Sequence, residues 1–218
     1  MSLPAITPYP MPAPEELPAN KVDWPLDPRR AALLIHDMQD YFLAPFTPGK
    51  PPLTELLTHI IALRQACARH AVPVVYSAQP GGQSPDQRGL LQDFWGDGIP
   101  DDPYSTRVTP ALTPTENDIR LTKWRYSAFV RTDLADQLAA AGRDQLIISG
   151  IYAHIGCLTT ACDAFMRDIQ PFLIADAVAD FTPAHHTDAL TYAAQRCATV
   201  TTTHSVLTQF AQRPVDRS

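Results

Sequence analysis

Apolar and polar positions alternate along the chain in two distinct patterns. Short, mostly apolar runs are typical of parallel strands buried on both faces of a sheet, and they occupy residues 31–35, 72–78, 118–122, 145–150, 171–176 and 197–203. Apolar residues at helical spacing predict helices over 53–70, 132–141, 154–167, 183–195 and from about residue 205. Because strands and helices alternate, the sequence predicts an α/β fold with a doubly wound, mostly parallel six-stranded sheet and helices on both faces.

Two proline-rich segments interrupt this regularity. The first 28 residues predict an extended arm whose apolar side chains lie along a surface, either its own or that of a partner subunit. Residues 79–116 predict a long irregular loop with one short helix, and loops of that length are usually functional. The predicted organisation is therefore an arm over 1–28, one domain over 29–212 and a C-terminal tail over 213–218.

Composition and charge narrow the function classes. A chain of 218 residues and 24.0 kDa suits one α/β domain, and its net charge of −6 argues against a nucleic-acid or anionic-membrane surface. No apolar run approaches the length of a membrane span, and the amino terminus lacks the basic region of a secretory signal. The four cysteines show no C-x-x-C pairing, which favours free thiols in a reducing compartment. We therefore expect a cytoplasmic protein.

Polar residues follow each predicted strand, where ligands bind in open parallel sheets. They are His36, Asp37, Gln39 and Asp40 after the first strand, Gln79 after the second, Lys123 to Tyr126 after the third, Tyr152, His154, Gly156 and Cys157 after the fourth, and Asp176 and Asp180 after the fifth. We expect an acid, a lysine and a glycine-containing turn to converge on one rim of the sheet.

Each of these residues also has a purely structural explanation. Asp37 could cap the helix that follows it. The remaining alternatives are solvated loop charges at Lys123 and Arg125, packing roles for Tyr152 and His154, and an exposed first helical turn at His185–His186. No spacing of the H-E-x-x-H or C-x-x-C kind predicts a metal site.

Three long motifs carry a family resemblance. They are LLIHDMQDYF (33–42), KWRYSAF (123–129) and SGIYAHIGCLTTACDAF (149–165). The chain resembles the isochorismatase-like hydrolase superfamily, most closely the branch found in 2,3-dihydroxybenzoate siderophore pathways. The resemblance extends from NKVDW (20–24) to DAVADF (176–181) and implies a three-layer, Rossmann-type fold, a cis peptide bond within residues 150–152, and a homodimer.

The resemblance also implies the catalytic positions. Amidases of the superfamily use an aspartate, a lysine and a cysteine, and these fall on Asp37, Lys123 and Gly156 of this sequence. Cys157 lies one residue beyond the nucleophile position, so we interpret it as structural and expect no covalent mechanism. We further expect that a glycine in place of the thiol leaves room for substrate.

The branch it most resembles hydrolyses isochorismate to 2,3-dihydro-2,3-dihydroxybenzoate and pyruvate. That reaction needs a proton on a vinyl-ether carbon, for which Asp37 is the implied general acid, and neither a metal nor an organic cofactor. The substrate is a small dicarboxylate. Its implied binding residues are Arg88 and Lys123 for the carboxylates, Gln79 as a hydrogen-bond donor, and Phe42, Trp95 and Tyr152 as ring-binding walls.

Three other functions stay open at this point. A phenazine-pathway relative acts on 2-amino-2-deoxyisochorismate, a cysteine amidase is disfavoured by Gly156, and a non-catalytic module could dock siderophore synthetase components. Many relatives continue into an aryl carrier domain, whereas this sequence ends at Ser218, so carrier activity is not inferred.

Overall fold

Six parallel strands form the centre of the computed structural model, which describes residues 3–212. The strands are β1 (Ala31–His36), β2 (Val74–Ala78), β3 (Ile119–Thr122), β4 (Gln145–Ile151), β5 (Gln170–Ala179) and β6 (Thr199–Thr201). Their order is β3-β2-β1-β4-β5-β6, and every pairing is parallel. The predicted sheet is confirmed.

Helices cover both faces of this sheet. Within residues 3–212 they are α1 (Asp40–Leu43), α2 (Leu53–Arg69), α3 (Pro85–Arg88), α4 (Leu91–Trp95), α5 (Pro103–Thr106), α6 (Leu134–Ala140), α7 (Leu158–Phe165), α8 (Pro183–Arg196) and α9 (Thr203–Ala211). Helices α2 and α9 contribute buried side chains to one apolar cluster, and α6, α7 and α8 contribute to the other. No helix among the described residues is both long and apolar enough to cross a membrane.

Strand β1 explains why buried parallel strands are continuously apolar. Successive side chains of a strand point to opposite faces, so Leu33 and Ile35 enter the cluster under α2 while Ala32 and Leu34 enter the other. All six residues of β1 are buried, because both faces are covered.

The order of the strands positions the site. The chain continues from β1 to β2 on one side of the sheet, while β4 pairs with β1 on the other, so the winding direction reverses at β1. At the carboxyl edge His36 pairs with Ser77 of β2 and with Gly150 of β4. Ligands of doubly wound sheets bind in the crevice that such a reversal opens.

The segment 79–116 was wrongly predicted to hold one short helix, since it contains α3, α4, α5 and a 3₁₀ turn at Pro110–Leu112. Two of these helices begin at strong local caps: the side chain of Ser84 accepts from the Gln87 amide, and that of Asp102 from the Ser105 amide. Proline at the first position of each helix favours the same start.

Two further elements differ from their predicted form. The predicted helix over 154–167 begins as a π-helical turn at Ala153–Cys157, and only then continues as α7. The predicted exposed turn at His185–His186 is wrong for His186, which is fully buried and hydrogen-bonds the Ala175 carbonyl through Nε2. The periodicity of α8 places His186 on its inward face, whereas His185 is exposed.

The amino-terminal arm is extended apart from a 3₁₀ turn at Pro14–Glu16, and it packs against its own domain. Ile6, Tyr9 and Leu26 are buried in the core beside α2 and α9. The division into an arm over 1–28 and a domain over 29–212 stays a prediction, and the predicted tail over 213–218 lies outside the described residues.

Candidate active site

Asp37 directly follows β1, and its carboxylate makes polar contacts with three side chains. Its carboxylate accepts hydrogen bonds from Ser77 Oγ at 2.6 Å and Gln79 Nε2 at 3.2 Å, and it pairs with Lys123 Nζ at 2.8 Å. The N-cap residue of helix α1 is Gln39, and no side chain caps this helix, so Asp37 does not serve as its cap. Lys123 is 1% exposed and is therefore not a solvated loop charge. The predicted proximity of Asp37 and Lys123 is confirmed.

The surroundings of Asp37 favour its ionised form. Burial, the largest influence, raises its pKa, but the charge that His36 carries when it is protonated, the charge of Lys123, and the hydrogen bonds from Lys123 and Ser77 together outweigh that effect. The pKa of Asp37 therefore lies below its usual value. Burial lowers the pKa of His36, which keeps that imidazole neutral at pH 7.

A cavity of about 600 Å³, counted with its open mouth, lies against this ion pair. All eight residues predicted from the sequence line it: Asp37, Phe42, Gln79, Arg88, Trp95, Lys123, Tyr152 and Gly156. Sequence reasoning missed other lining residues, among them Leu3, Tyr41 and Phe181, and it placed His36 and Tyr126 at the rim without including them in the site. Arg125, which was left out of the predicted site, is not part of the lining.

Aromatic rings form one wall of this cavity. The ring of Phe181 stacks on Tyr152 at 4.0 Å and on Trp95 at 6.3 Å between centroids. The Tyr152 hydroxyl donates to the Phe42 carbonyl at 2.6 Å, and the Trp95 indole donates to the Tyr126 hydroxyl at 2.7 Å. Flat, apolar walls of this kind suit a ring-shaped ligand. Phe181 ends the DAVADF motif, which was a signal for its role.

Arg88 places a second buried cation at the cavity. It is 2% exposed and donates to the carbonyls of Gly96 at 3.0 Å and Leu91 at 3.4 Å. A Cβ at Gly98 would approach its Nη1 to 2.6 Å, so glycine at that position makes room for the guanidinium. Burial, the largest influence, lowers the pKa of Arg88, and no carboxylate within residues 3–212 pairs with it. The cavity can therefore attract an anion.

The sequence predicted that Gly156 leaves room for substrate, but the volume beside it is already filled. A Cβ at this position would overlap the ring of His36 and approach its Nε2 to 2.7 Å. The imidazole is 1% exposed and its Nδ1 hydrogen-bonds the Ile151 carbonyl at 2.7 Å, so it fills the volume that a side chain at 156 would need. The predicted cis peptide within residues 150–152 is confirmed at Ile151–Tyr152.

Cys157 is fully buried and absent from the cavity lining. Burial, followed by the charges of Asp37 and Asp180, raises the pKa of its thiol well above the usual value. A thiolate nucleophile is therefore disfavoured at this position.

Potential metal ligands do meet beside the site, although no sequence spacing predicted them. Ligand atoms of His154, Asp180 and His185 lie within 4.8 Å of one another. The Asp180 carboxylate is fully buried and already accepts from the amides of His154 and Phe181 and from His154 Nδ1. These bonds account for its position without a metal.

Comparison with known proteins supplies the family. Residues 31–205 match the model of the isochorismatase domain. The isochorismatase of Bacillus subtilis is 55% identical, over 99% of this chain and 69% of the relative. The phenazine biosynthesis protein PhzD1 of Pseudomonas aeruginosa is 51% identical, over 94% of this chain and 98% of the relative.

A solved structure extends the comparison to the fold. The cysteine hydrolase of Pseudomonas syringae pv. phaseolicola superimposes with a TM-score of 0.80 at 25% identity, covering 89% of this chain and 98% of that one. The sheet is thus shared with an enzyme named for cysteine chemistry, while the cavity described above offers a carboxylate, a lysine and a glycine. With a domain match over most of its length and relatives at about half identity, the chain belongs to the isochorismatase family of hydrolases.

Proposed function

We propose that the protein hydrolyses the enolpyruvyl ether of isochorismate to 2,3-dihydro-2,3-dihydroxybenzoate and pyruvate, with Asp37 as general acid. The observation that carries the proposal is the buried Asp37–Lys123 pair, 2.8 Å apart at the wall of an apolar cavity. The relative named isochorismatase in Bacillus subtilis supports the same reaction.

The reaction mainly requires a proton donor that is positioned next to the substrate. A vinyl ether is protonated on its terminal CH₂ carbon, and water attacks the resulting oxocarbenium ion. In the resulting hemiketal, the bond between the hemiketal carbon and the ether oxygen attached to the ring then breaks, and pyruvate is released. A carboxyl group aimed at the carbon can perform the first step, and no enzyme nucleophile is needed. The buried, protonated thiol of Cys157 agrees with that route.

Asp37 must be protonated to act, although its pKa is low in the free protein. A dianionic substrate changes this balance, because its carboxylates bring negative charge to the site and engage the cations that stabilise the Asp37 carboxylate. Both effects raise the pKa of Asp37, so the proton is held where it is needed once substrate is bound.

The other lining residues bind and enclose the substrate. Arg88 and Lys123 attract its carboxylates, and charge-assisted hydrogen bonds of this kind are the strong ones. Gln79 and the backbone at Gly156 serve as further polar contacts. The rings of Phe42, Trp95 and Tyr152 exclude water until the proton is transferred.

We place this reaction in 2,3-dihydroxybenzoate and catechol siderophore biosynthesis, in the cytoplasm, in a homodimer that works beside siderophore synthetase components. The alternative substrate is 2-amino-2-deoxyisochorismate of phenazine biosynthesis, which the relative named PhzD1 keeps open. The two substrates share the enolpyruvyl ether and differ in one ring substituent.

A coupled pyruvate assay on both substrates tests the proposal. We expect Asp37→Asn, which keeps the size and hydrogen-bond acceptor of the side chain, to lower kcat by about 10²- to 10⁴-fold. Cys157→Ala is the matched control, since the thiol is fully buried and outside the cavity lining, and this variant should keep most of its activity. Full activity in Asp37→Asn, or loss of turnover on thiol modification, would contradict the mechanism.

A further inference from the structure

The amino-terminal arm reaches the mouth of the cavity. Leu3 is half-buried and lines the cavity together with residues from five strand ends and loops. Of the residues that line the cavity, Leu3 alone comes from the arm as the structure describes it. An apolar side chain at a cavity mouth adds contact area for a ligand and helps to exclude water.

The arm is held against the domain at two points that follow Leu3 along the chain. The Ile6 amide donates to the Pro45 carbonyl at 2.9 Å, and the Ile6 side chain is 3% exposed in the core. Pro45 follows α1, which carries the lining residues Tyr41 and Phe42. The arm is therefore joined to the segment that forms one side of the cavity.

The second fastening is at Tyr9. Its hydroxyl accepts from the Asp180 amide at 2.7 Å and lies 3.3 Å from His186 Nδ1. His186 Nε2 donates to the Ala175 carbonyl at 3.0 Å, which leaves its Nδ1 as an acceptor. The Tyr9 proton therefore has two acceptors within reach, the Asp180 carbonyl at 3.2 Å and His186 Nδ1. A hydroxyl that is buried and satisfied in both roles holds its partner backbone firmly.

The backbone held by Tyr9 leads directly into the aromatic wall. Phe181 follows Asp180, and its amide donates to the Asp180 carboxylate at 2.7 Å. The Phe181 ring stacks on Tyr152 at 4.0 Å. Tyr9 thus supports the position of a cavity wall without touching the cavity.

We propose that the arm is a working part of the active site, in which Leu3 is a substrate-contacting wall residue and Tyr9 is a positioning residue that holds Phe181 through Asp180. The proposal rests on the proposed function, because the ligand that Leu3 contacts is the apolar ring face of the cyclic dicarboxylate. Its consequence is that substrate affinity depends on residues far from the strand-end motifs.

Steady-state kinetics with isochorismate test the role of Leu3. We expect Leu3→Ala to raise KM by about 3- to 10-fold with kcat within about twofold, because it removes apolar contact and leaves the acid in place. Leu17→Ala is the matched control: the same substitution in the same arm, at a half-buried leucine that packs against the opposite cluster. Equal KM values for Leu3→Ala, Leu17→Ala and the unsubstituted protein would overturn the wall role.

Tyr9→Phe tests the positioning role separately. It removes the hydroxyl and keeps the ring, so we expect a several-fold loss in kcat/KM, about 3- to 10-fold, from a less ordered Phe181. Unchanged kcat/KM in a folded Tyr9→Phe protein would overturn the positioning role. Tyr9→Phe should also raise the rate at which acrylamide quenches Trp95, which stacks on Phe181, whereas a merely structural role would leave it unchanged.

The same fluorescence measurement separates this proposal from the proposed reaction. In a Trp24→Phe/Trp124→Phe background Trp95 is the remaining tryptophan of the three, and it lines the cavity. Leu3→Ala should increase acrylamide quenching of Trp95, and Leu17→Ala should not. If the unsubstituted protein releases no pyruvate, the proposed reaction is wrong, but the quenching measurement still shows whether Leu3 shields the cavity from solvent. Unchanged quenching of Trp95 in Leu3→Ala would refute that role of Leu3.

Discussion

Alanine at position 156 tests the packing of His36 against Gly156. The added Cβ would overlap the His36 ring and lie 2.7 Å from Nε2, which is closer than real Cβ contacts approach. The ring cannot withdraw freely, because it is 1% exposed and bonded to the Ile151 carbonyl at 2.7 Å. Either the core is overpacked or that hydrogen bond breaks.

The two costs set the expected magnitude. Overpacking a filled core costs about 1–3 kcal/mol. Leaving a buried polar group without its partner costs about 1–3 kcal/mol. Because one cost or the other applies, we expect Gly156→Ala to lower the free energy of unfolding by about 1–3 kcal/mol, a substantial part of the 5–15 kcal/mol typical of a domain.

A double-mutant cycle in urea isolates the contact. His36→Ala removes the obstructing ring, so Gly156→Ala should cost less in that background, with a coupling energy of about 1–3 kcal/mol. Gly142→Ala is the control, since a Cβ there meets nothing within 4 Å and its cost comes from the φ of +64°. That cost should be the same with and without His36. Additive effects of His36→Ala and Gly156→Ala, within about 0.5 kcal/mol, would refute the reasoning.

Two further substitutions test the charge and the protonation of buried groups. Arg88→Met should raise KM for isochorismate by about 10- to 100-fold, because it removes a charge-assisted hydrogen bond to the substrate. Arg125 lies outside the cavity, so Arg125→Met should change KM little. Equal KM values in the two variants would show that Arg88 does not bind the substrate. Burial lowers the pKa of His186, so the folded state binds a proton at this residue less readily than the unfolded state does. The folded protein therefore loses stability as the pH falls below the unfolded pKa of His186, which is near 6.5. Urea unfolding at pH 6.5 and 5.5 measures this effect as the drop in the free energy of unfolding between the two pH values. That drop should be smaller in His186→Gln than in the unsubstituted protein by up to about 1 kcal/mol. The same drop in both proteins would contradict a neutral buried His186.

Local patterns determined the strands, the main helices and the rim on which the polar residues meet. Hydrophobic burial of strands such as β1 leaves a continuous apolar run in the sequence, and helices such as α2 leave a regular spacing. Parallel strands share one carboxyl edge, so the residues that follow them had to converge there. The proximity of Asp37 and Lys123 followed from that topology and from the motifs that carry the family resemblance.

Contacts between distant segments were decided by the tertiary structure alone. His36 and Ile151 are 115 residues apart, and nothing in the spacing of either indicates that the imidazole occupies the volume beside Gly156. The burial of His186, the stacking of Phe181 on Tyr152 and the reach of Leu3 to the cavity have the same origin. Periodicity records which face of an element is apolar, whereas the packing partner of each side chain depends on how whole elements meet, and only the folded chain determines that.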